Sequence, residues 1–281
     1  MCPAPSLSYR VSACNISHAS ENKIHDDGIA RTLGFAGGLV PGAEVFAYAC
    51  HPVVRHWRHA WLERGEMHCR FLKPVYDGRI AEITADAVDG GLNLQVTSQG
   101  IVCATGAASL SASAGNPPAP HEFRRCRPPT RADRPPADEA SLARSNWLGM
   151  APLALTGDRH AEYLEGVRER DPLYAREGIV HPGFLVRLCN YALRDNVVLP
   201  PWIHTGSRLV NFSVARVGDE LEARARVADN YERKGHRLVD LDVLIIAQGT
   251  RPIARIMHTA VYRLRQLSVE GQRRASPTAA A

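Results

Sequence analysis

The chain lacks any pair of cysteines at CxxC spacing. Its seven cysteines, Cys2, Cys14, Cys50, Cys69, Cys103, Cys126 and Cys189, are odd in number and widely separated. That pattern argues against a disulfide framework or a zinc knuckle and predicts buried thiols of a cytoplasmic protein. No stretch approaches the roughly 20 consecutive apolar residues of a membrane span. A basic start followed by an apolar core is also missing from the amino terminus, so a soluble, unexported chain with no membrane partner is expected. The 34 lysines and arginines among 281 residues form no basic run, and the net charge is only +5; no nucleic-acid partner is implied. His51, His56 and His59 lie close together. They lack a carboxylate or cysteine at ligand spacing, and no metal site is expected.

What the chain does contain is a repetition. Asp26-Asp27-Gly28-Ile29-Ala30-Arg31, followed by Leu39-Val40-Pro41-Gly42, returns as Asp171-Pro172-Leu173-Tyr174-Ala175-Arg176, followed by Val180-His181-Pro182-Gly183. Phe71-Leu72-Lys73-Pro74-Val75-Tyr76-Asp77-Gly78 has its counterpart in the segment from Phe212 to Asp219. This spacing is too long for a solenoid and suits a duplicated domain, and 45% hydrophobic residues can fill two ordinary cores. Pro117-Pro118, Pro128-Pro129 and Pro135-Pro136 interrupt the stretch between the copies, and such pairs cannot sit inside a helix or a paired strand. The expected organisation is a first unit over residues 1–110, a linker over 111–140, a second unit over 141–265 and a frayed tail over 266–281.

Periodicity orders the elements within each unit. Leu185, Leu188, Cys189 and Ala192 form the stripe of a helix with one buried face. Val45, Phe46 and Ala49 do the same more briefly before Pro52 interrupts. The period then becomes two, as in Leu221-Glu222-Ala223-Arg224-Ala225-Arg226-Val227, the pattern of a half-buried strand. Strands are expected at 80–88, 92–98, 101–110 and 253–264, with Val239, Leu241, Val243 and Ile245 sharing one face of another. A helix followed by long antiparallel strands predicts an α+β unit in which a sheet wraps a helix.

The order Asn22-x-x-His25, then Gly34-Phe35 and Val40-Pro41-Gly42, then Phe71-x-x-Pro74-Val75-x-x-Gly78 resembles the MaoC-like hydratase family. That family includes (R)-specific enoyl-CoA hydratases and 3-hydroxyacyl dehydratases. The resemblance covers residues 20–110 and, more weakly, 163–264, and implies a tandem double hot-dog fold whose two sheets lie side by side. It departs from the family at Ser20, where an aspartate is usual, at Lys23, and at Pro41-Gly42, where the family has His-Gly. The implied activity is hydration of enoyl thioesters or dehydration of 3-hydroxyacyl thioesters. Such chemistry needs a group that moves protons and donors that hold an enolate oxygen.

By this resemblance His25 handles protons, Asn22 fixes water or the imidazole, and the helix beginning at Gly42 receives the thioester oxygen. Glu21 or Ser20 stands in for the missing aspartate, unless a carboxylate comes from elsewhere. Gly38 and His181 are expected along the substrate path. The second copy reads Val167-Arg168-Glu169-Arg170 in place of the motif and is expected to be a degenerate half that completes the sheet and the acyl tunnel. Arg55, Arg58, Arg64, Arg233 and Lys234 are candidates for phosphate contacts. The implied partner is an acyl-CoA or acyl-carrier-protein thioester, with no cofactor and a homodimer as the expected assembly. A hot-dog thioesterase and a non-catalytic thioester binder are the alternatives.

Overall fold

The computed structural model describes residues 6–113 and 115–265; the expected tail at 266–281 lies outside them. The first copy contains β1 (Leu7–Ser12), α1 (Asp27–Thr32), α2 (Gly42–Trp57), α3 (His59–Arg64), β2 (Gly65–Phe71), β3 (Ile80–Val88), β4 (Gly91–Ser98) and β5 (Ile101–Leu110). The second contains β6 (Trp147–Gly149), β7 (Leu153–Ala154), α4 (Gly157–Gly166), α5 (Pro172–Glu177), α6 (Pro182–Arg194), β8 (Ile203–Asn211), β9 (Glu220–Arg233), β10 (His236–Ala247) and β11 (Arg251–Arg263).

All eleven strands join one antiparallel sheet in the order β1-β3-β4-β5-β2-β8-β11-β10-β9-β6, with β7 also paired to β9. Alternation sets the faces. In β4, Leu92, Leu94 and Val96 are buried whereas Asn93 and Gln95 are exposed, so in this part of the sheet one face meets the helices and the other meets solvent. The copies meet at β2 and β8, where Met67 pairs with Leu209 and His68 with Arg208. Leu72 N and Lys73 N bond to the carbonyl of Cys103 as Phe212 N and Ser213 N bond to that of Ile253, so His68 matches Arg208 and Met67 matches Ser207. The pair Met67–Leu209 is therefore the image of Ser207–Cys69, and a local two-fold axis passes through the His68–Arg208 pair.

On the inner face α2 and α6 pack together. A Cβ on Gly183 would stand 2.5 Å from the Cβ of Ala47, which explains why a glycine is needed at that crossing. Glu44 of α2 is fully buried and ion-paired to Arg187 of α6, whose Nε lies 3.0 Å from Oε1. The helix α2 runs through Pro52 to Trp57, so the interruption expected there does not occur. Proline removes one backbone bond at a cost of about 3 kcal/mol. Ala49, Cys50, Val53 and Val54 flank it at 0–1% exposure, and tertiary burial of that face holds the helix together.

The chain between β5 and β6 adds no strand among its described residues and contains two short 3-10 turns. It is pinned rather than loose. Phe123 packs on Leu244 and Ile246, covering the outer face of β10, and this accounts for a strand buried on both sides where simple alternation predicts one. No described helix is long and apolar enough to cross a membrane.

Candidate active site at the junction of the two copies

The segment from Asn22 to Leu39 forms a knotted turn beside α2. Asn22 caps a 3-10 turn over Lys23–His25, accepting from Ile24 N at 3.3 Å, and Asp26 caps α1 through Ile29 N at 2.9 Å. Asp27 accepts from Gly38 N at 2.7 Å, and Asn15 donates to the carbonyl of His25 at 2.8 Å. A Cβ at Gly38 would lie 2.3 Å from that same carbonyl. Gly38 thus lets two backbone segments approach under His25 and is absent from the cavity wall.

His25 is 9% exposed. Its Nδ1 lies 2.7 Å from the carbonyl oxygen of Leu39; because a carbonyl only accepts, Nδ1 carries the proton and Nε2 of the neutral ring is the acceptor. Burial pushes the imidazole pKa below its ordinary 6.5, against the opposing pull of the Leu39 carbonyl. Asn22 Nδ2 makes a long contact of 3.4 Å to His25 Nε2, and its stronger bonds go elsewhere. It donates to Trp202 O at 2.9 Å and its Oδ1 accepts from Trp202 N at 3.2 Å. Asn22 therefore straps the entry of β8 onto the His25 turn.

Around these residues lies a cavity of about 200 Å³. Its walls come from both copies: Asn22, His25, Gly42 and Phe71 on one side, Asn190, Trp202 and His204 on the other. A second cavity of about 240 Å³ shares Asn22, His25, Asn190 and Trp202 with the first and adds Ser20, Glu44 and Arg187. His25 thus stands in the partition between an apolar chamber and a polar one.

Two expectations need correction. Glu21 is exposed and turned away from His25, 3.2 Å from both Arg131 and Arg134, whose guanidinium groups hold its carboxylate at the surface. Ser20 is the residue that reaches the polar chamber, with its hydroxyl donating to Asn22 O at 3.2 Å. His181 lines neither chamber. It is fully buried, accepts from Gly183 N at 3.1 Å as the cap of α6, and holds Glu169 at 3.3 Å. Burial alone would raise the Glu169 pKa, but hydrogen bonds from His181 and His51 hold it well below the usual carboxylate range.

The remaining sequence candidates do not converge. Arg58 pairs with Asp171 at 2.7 Å, Arg64 donates to Ala112 O at 2.8 Å, and Arg233 and Lys234 line a separate groove that shares Phe71, Ile203 and Thr205 with the apolar chamber. His25 also has no positional equivalent in the second copy. Ile179 corresponds to Leu39, as their matching bridges to Arg216 and Tyr76 indicate, and its carbonyl is held by His160 at 2.8 Å.

Sequence reasoning missed Glu44, Asn190 and His204. Each has a buried polar atom without a hydrogen-bond partner: Oε2 of Glu44, Oδ1 of Asn190 and Nδ1 of His204. Seven buried side-chain atoms among the described residues have no such partner, and these three border the two chambers, where polar ligand atoms can meet them.

No family model and no curated protein matches the chain. Solved structures do. A conserved hypothetical protein from Mycobacterium tuberculosis with a double hotdog fold is 13% identical, with 93% of this chain and 96% of that one covered and a TM-score of 0.65. A protein described as a MaoC domain dehydratase from Chloroflexus aurantiacus is 11% identical, with 95% and 97% covered and a TM-score of 0.62. A MaoC-like dehydratase is 13% identical, with 91% and 97% covered and a TM-score of 0.55. The continuous sheet, the paired helices and these likenesses together establish that the chain has a double hot-dog fold.

Proposed function

We propose that this chain is an acyl-thioester hydro-lyase of the MaoC-like kind, interconverting 3-hydroxyacyl and enoyl thioesters at His25. The observation that carries the reading is a buried, neutral imidazole whose Nδ1 is fixed by Leu39, in a cavity that also meets the start of α2. In the dehydration direction, His25 Nε2 takes the C2 proton while the electron pair moves into the thioester carbonyl. Backbone N–H groups at the start of α2 hold the resulting enolate oxygen. The enolate electrons then form the C2–C3 double bond, and the imidazolium returns its proton to the departing C3 hydroxyl, which leaves as water. The likeness to two dehydratases and the order of the Asn22, His25 and Phe71 segments support this assignment.

Hydrolysis of the thioester is a second reading, and Glu44 favours it. A fully buried carboxylate with one free oxygen borders the polar chamber, where it could direct water at the thioester carbon. Incubation with a short enoyl-CoA separates the readings. Loss of the conjugated absorbance without free thiol means hydration, release of free thiol means hydrolysis, and saturable binding with neither means a binder.

A further inference from the structure

The amino ends of the two central helices differ. At α6, His181 accepts from Gly183 N and closes the helix. At α2, sixteen residues long, Pro41 supplies no side-chain cap, and the carbonyl of Pro41 takes up only Glu44 N and Val45 N. The N–H groups of Gly42 and Ala43 are left for another acceptor.

Against this open end stands His204, which belongs to β8 of the other copy and is 6% exposed. Its unpaired Nδ1 lies so near Gly42 that a Cβ there would come within 2.7 Å of it. Its Nε2 lies 2.9 Å from the hydroxyl of Ser207, and that hydroxyl lies 3.0 Å from Nδ1 of His258. The two rings stack at 4.1 Å. A serine hydroxyl has one proton, so it donates to one ring and accepts from the other. The trio therefore has two neutral arrangements, and in one of them His204 carries its proton on Nδ1, facing Gly42. Burial keeps both rings uncharged, with His204 pulled down to about 3.

We propose that His204, supplied by the carboxy-terminal copy, is the second donor for the thioester oxygen, with Ser207 and His258 positioning its proton on Nδ1. This rests on the reading of the cavity as a thioester site. His204 donates a hydrogen bond and transfers no proton, because a neutral ring that gave up its proton would be left as an anion. Interaction with an oxygen that gains charge during reaction lowers the barrier more than it tightens substrate binding.

The test compares wild type, His204→Phe, His204→Gln and Ser207→Ala on a short enoyl-CoA. It is joined to ring-nitrogen NMR of histidine-labelled full-length protein with butyryl-CoA, a saturated thioester that cannot react. His204→Phe should lower kcat about 100-fold with KM within about threefold, and the amide of His204→Gln should restore part of the loss. Ser207→Ala should lower kcat about tenfold while the acid limb set by His25 stays in place. Butyryl-CoA should shift the His204 signal toward a protonated Nδ1, a change absent in His204→Phe. An active wild type with His204→Phe within about threefold of it, or a His204 signal unmoved by bound butyryl-CoA, would overturn the proposal and leave the lyase reading standing. Wild type that binds butyryl-CoA without turning over enoyl-CoA would sink the lyase reading, and the NMR shift would still decide His204. Failure to bind butyryl-CoA together with no turnover of enoyl-CoA would overturn both.

Discussion

Acidification should destabilise this fold earlier than carboxylate protonation alone predicts. His25, His204 and His258 are buried and uncharged, and burial has lowered the pKa of each in the folded state, to about 3 for His204. Unfolded histidine titrates near 6.5, so below that pH the unfolded chain binds protons that the folded chain refuses. Stability is therefore fully present above about pH 6.5 and is lost as the pH falls toward the folded values. Each such ring contributes at most about 1.4 kcal/mol per pH unit, so His204 and His258 together remove at most about 3 kcal/mol between about pH 6 and 5. Against a usual total of about 5–15 kcal/mol, that is a large share. Glu169, whose pKa is also depressed, adds its loss only below the ordinary carboxylate range, and the raised pKa of Asp240 acts in the opposite sense. Urea unfolding followed at several pH values between 7 and 5 measures the slope, and His204→Phe should flatten it by removing one titrating ring. Stability independent of pH over that interval would refute the picture of neutral, desolvated imidazoles.

Other perturbations have defined outcomes. His25→Ala should lower turnover by about 100-fold or more with the urea midpoint nearly unchanged, and a variant that keeps full activity would remove His25 from the mechanism. Gly42→Ala places a Cβ 2.7 Å from His204 Nδ1 and 2.9 Å from Phe71; activity should fall at least about tenfold and stability by about 1–3 kcal/mol, read by kinetics and denaturant unfolding. Arg187→Met strands the buried Glu44 carboxylate and should cost about 3–5 kcal/mol, whereas the double variant with Glu44→Gln should recover part of that loss.

Much of the architecture was legible because it is written locally. Alternation in β4 and β9, the turn at Gly90 and the stripe of α6 depend on residues a few positions apart, and the structure contains each as a strand, turn or helix. The passage of α2 through Pro52 was not legible, since it is decided by what packs on Val53 and Val54 from distant strands. The same limit applies to the site. His25 and Gly42 were visible through their spacing to neighbouring motif segments. Glu44 was hidden because a glutamate in the first turn of a helix is ordinarily a solvated partner of the helix dipole. His204 and Asn190 reach the cavity only when β8 and α6 of one copy close against the His25 turn of the other. The single available signal for His204 was a histidine three residues before Ser207, on a strand whose burial depends on the seam.

The most direct measurement of the central claim is one incubation of the protein with a short enoyl-CoA in heavy-oxygen water, followed by mass spectrometry of the products. Hydration at His25 yields a 3-hydroxyacyl-CoA with the heavy oxygen at C3, an intact thioester and loss of this product in His25→Ala. Heavy oxygen appearing instead in a free carboxylate, with CoA released, would contradict it.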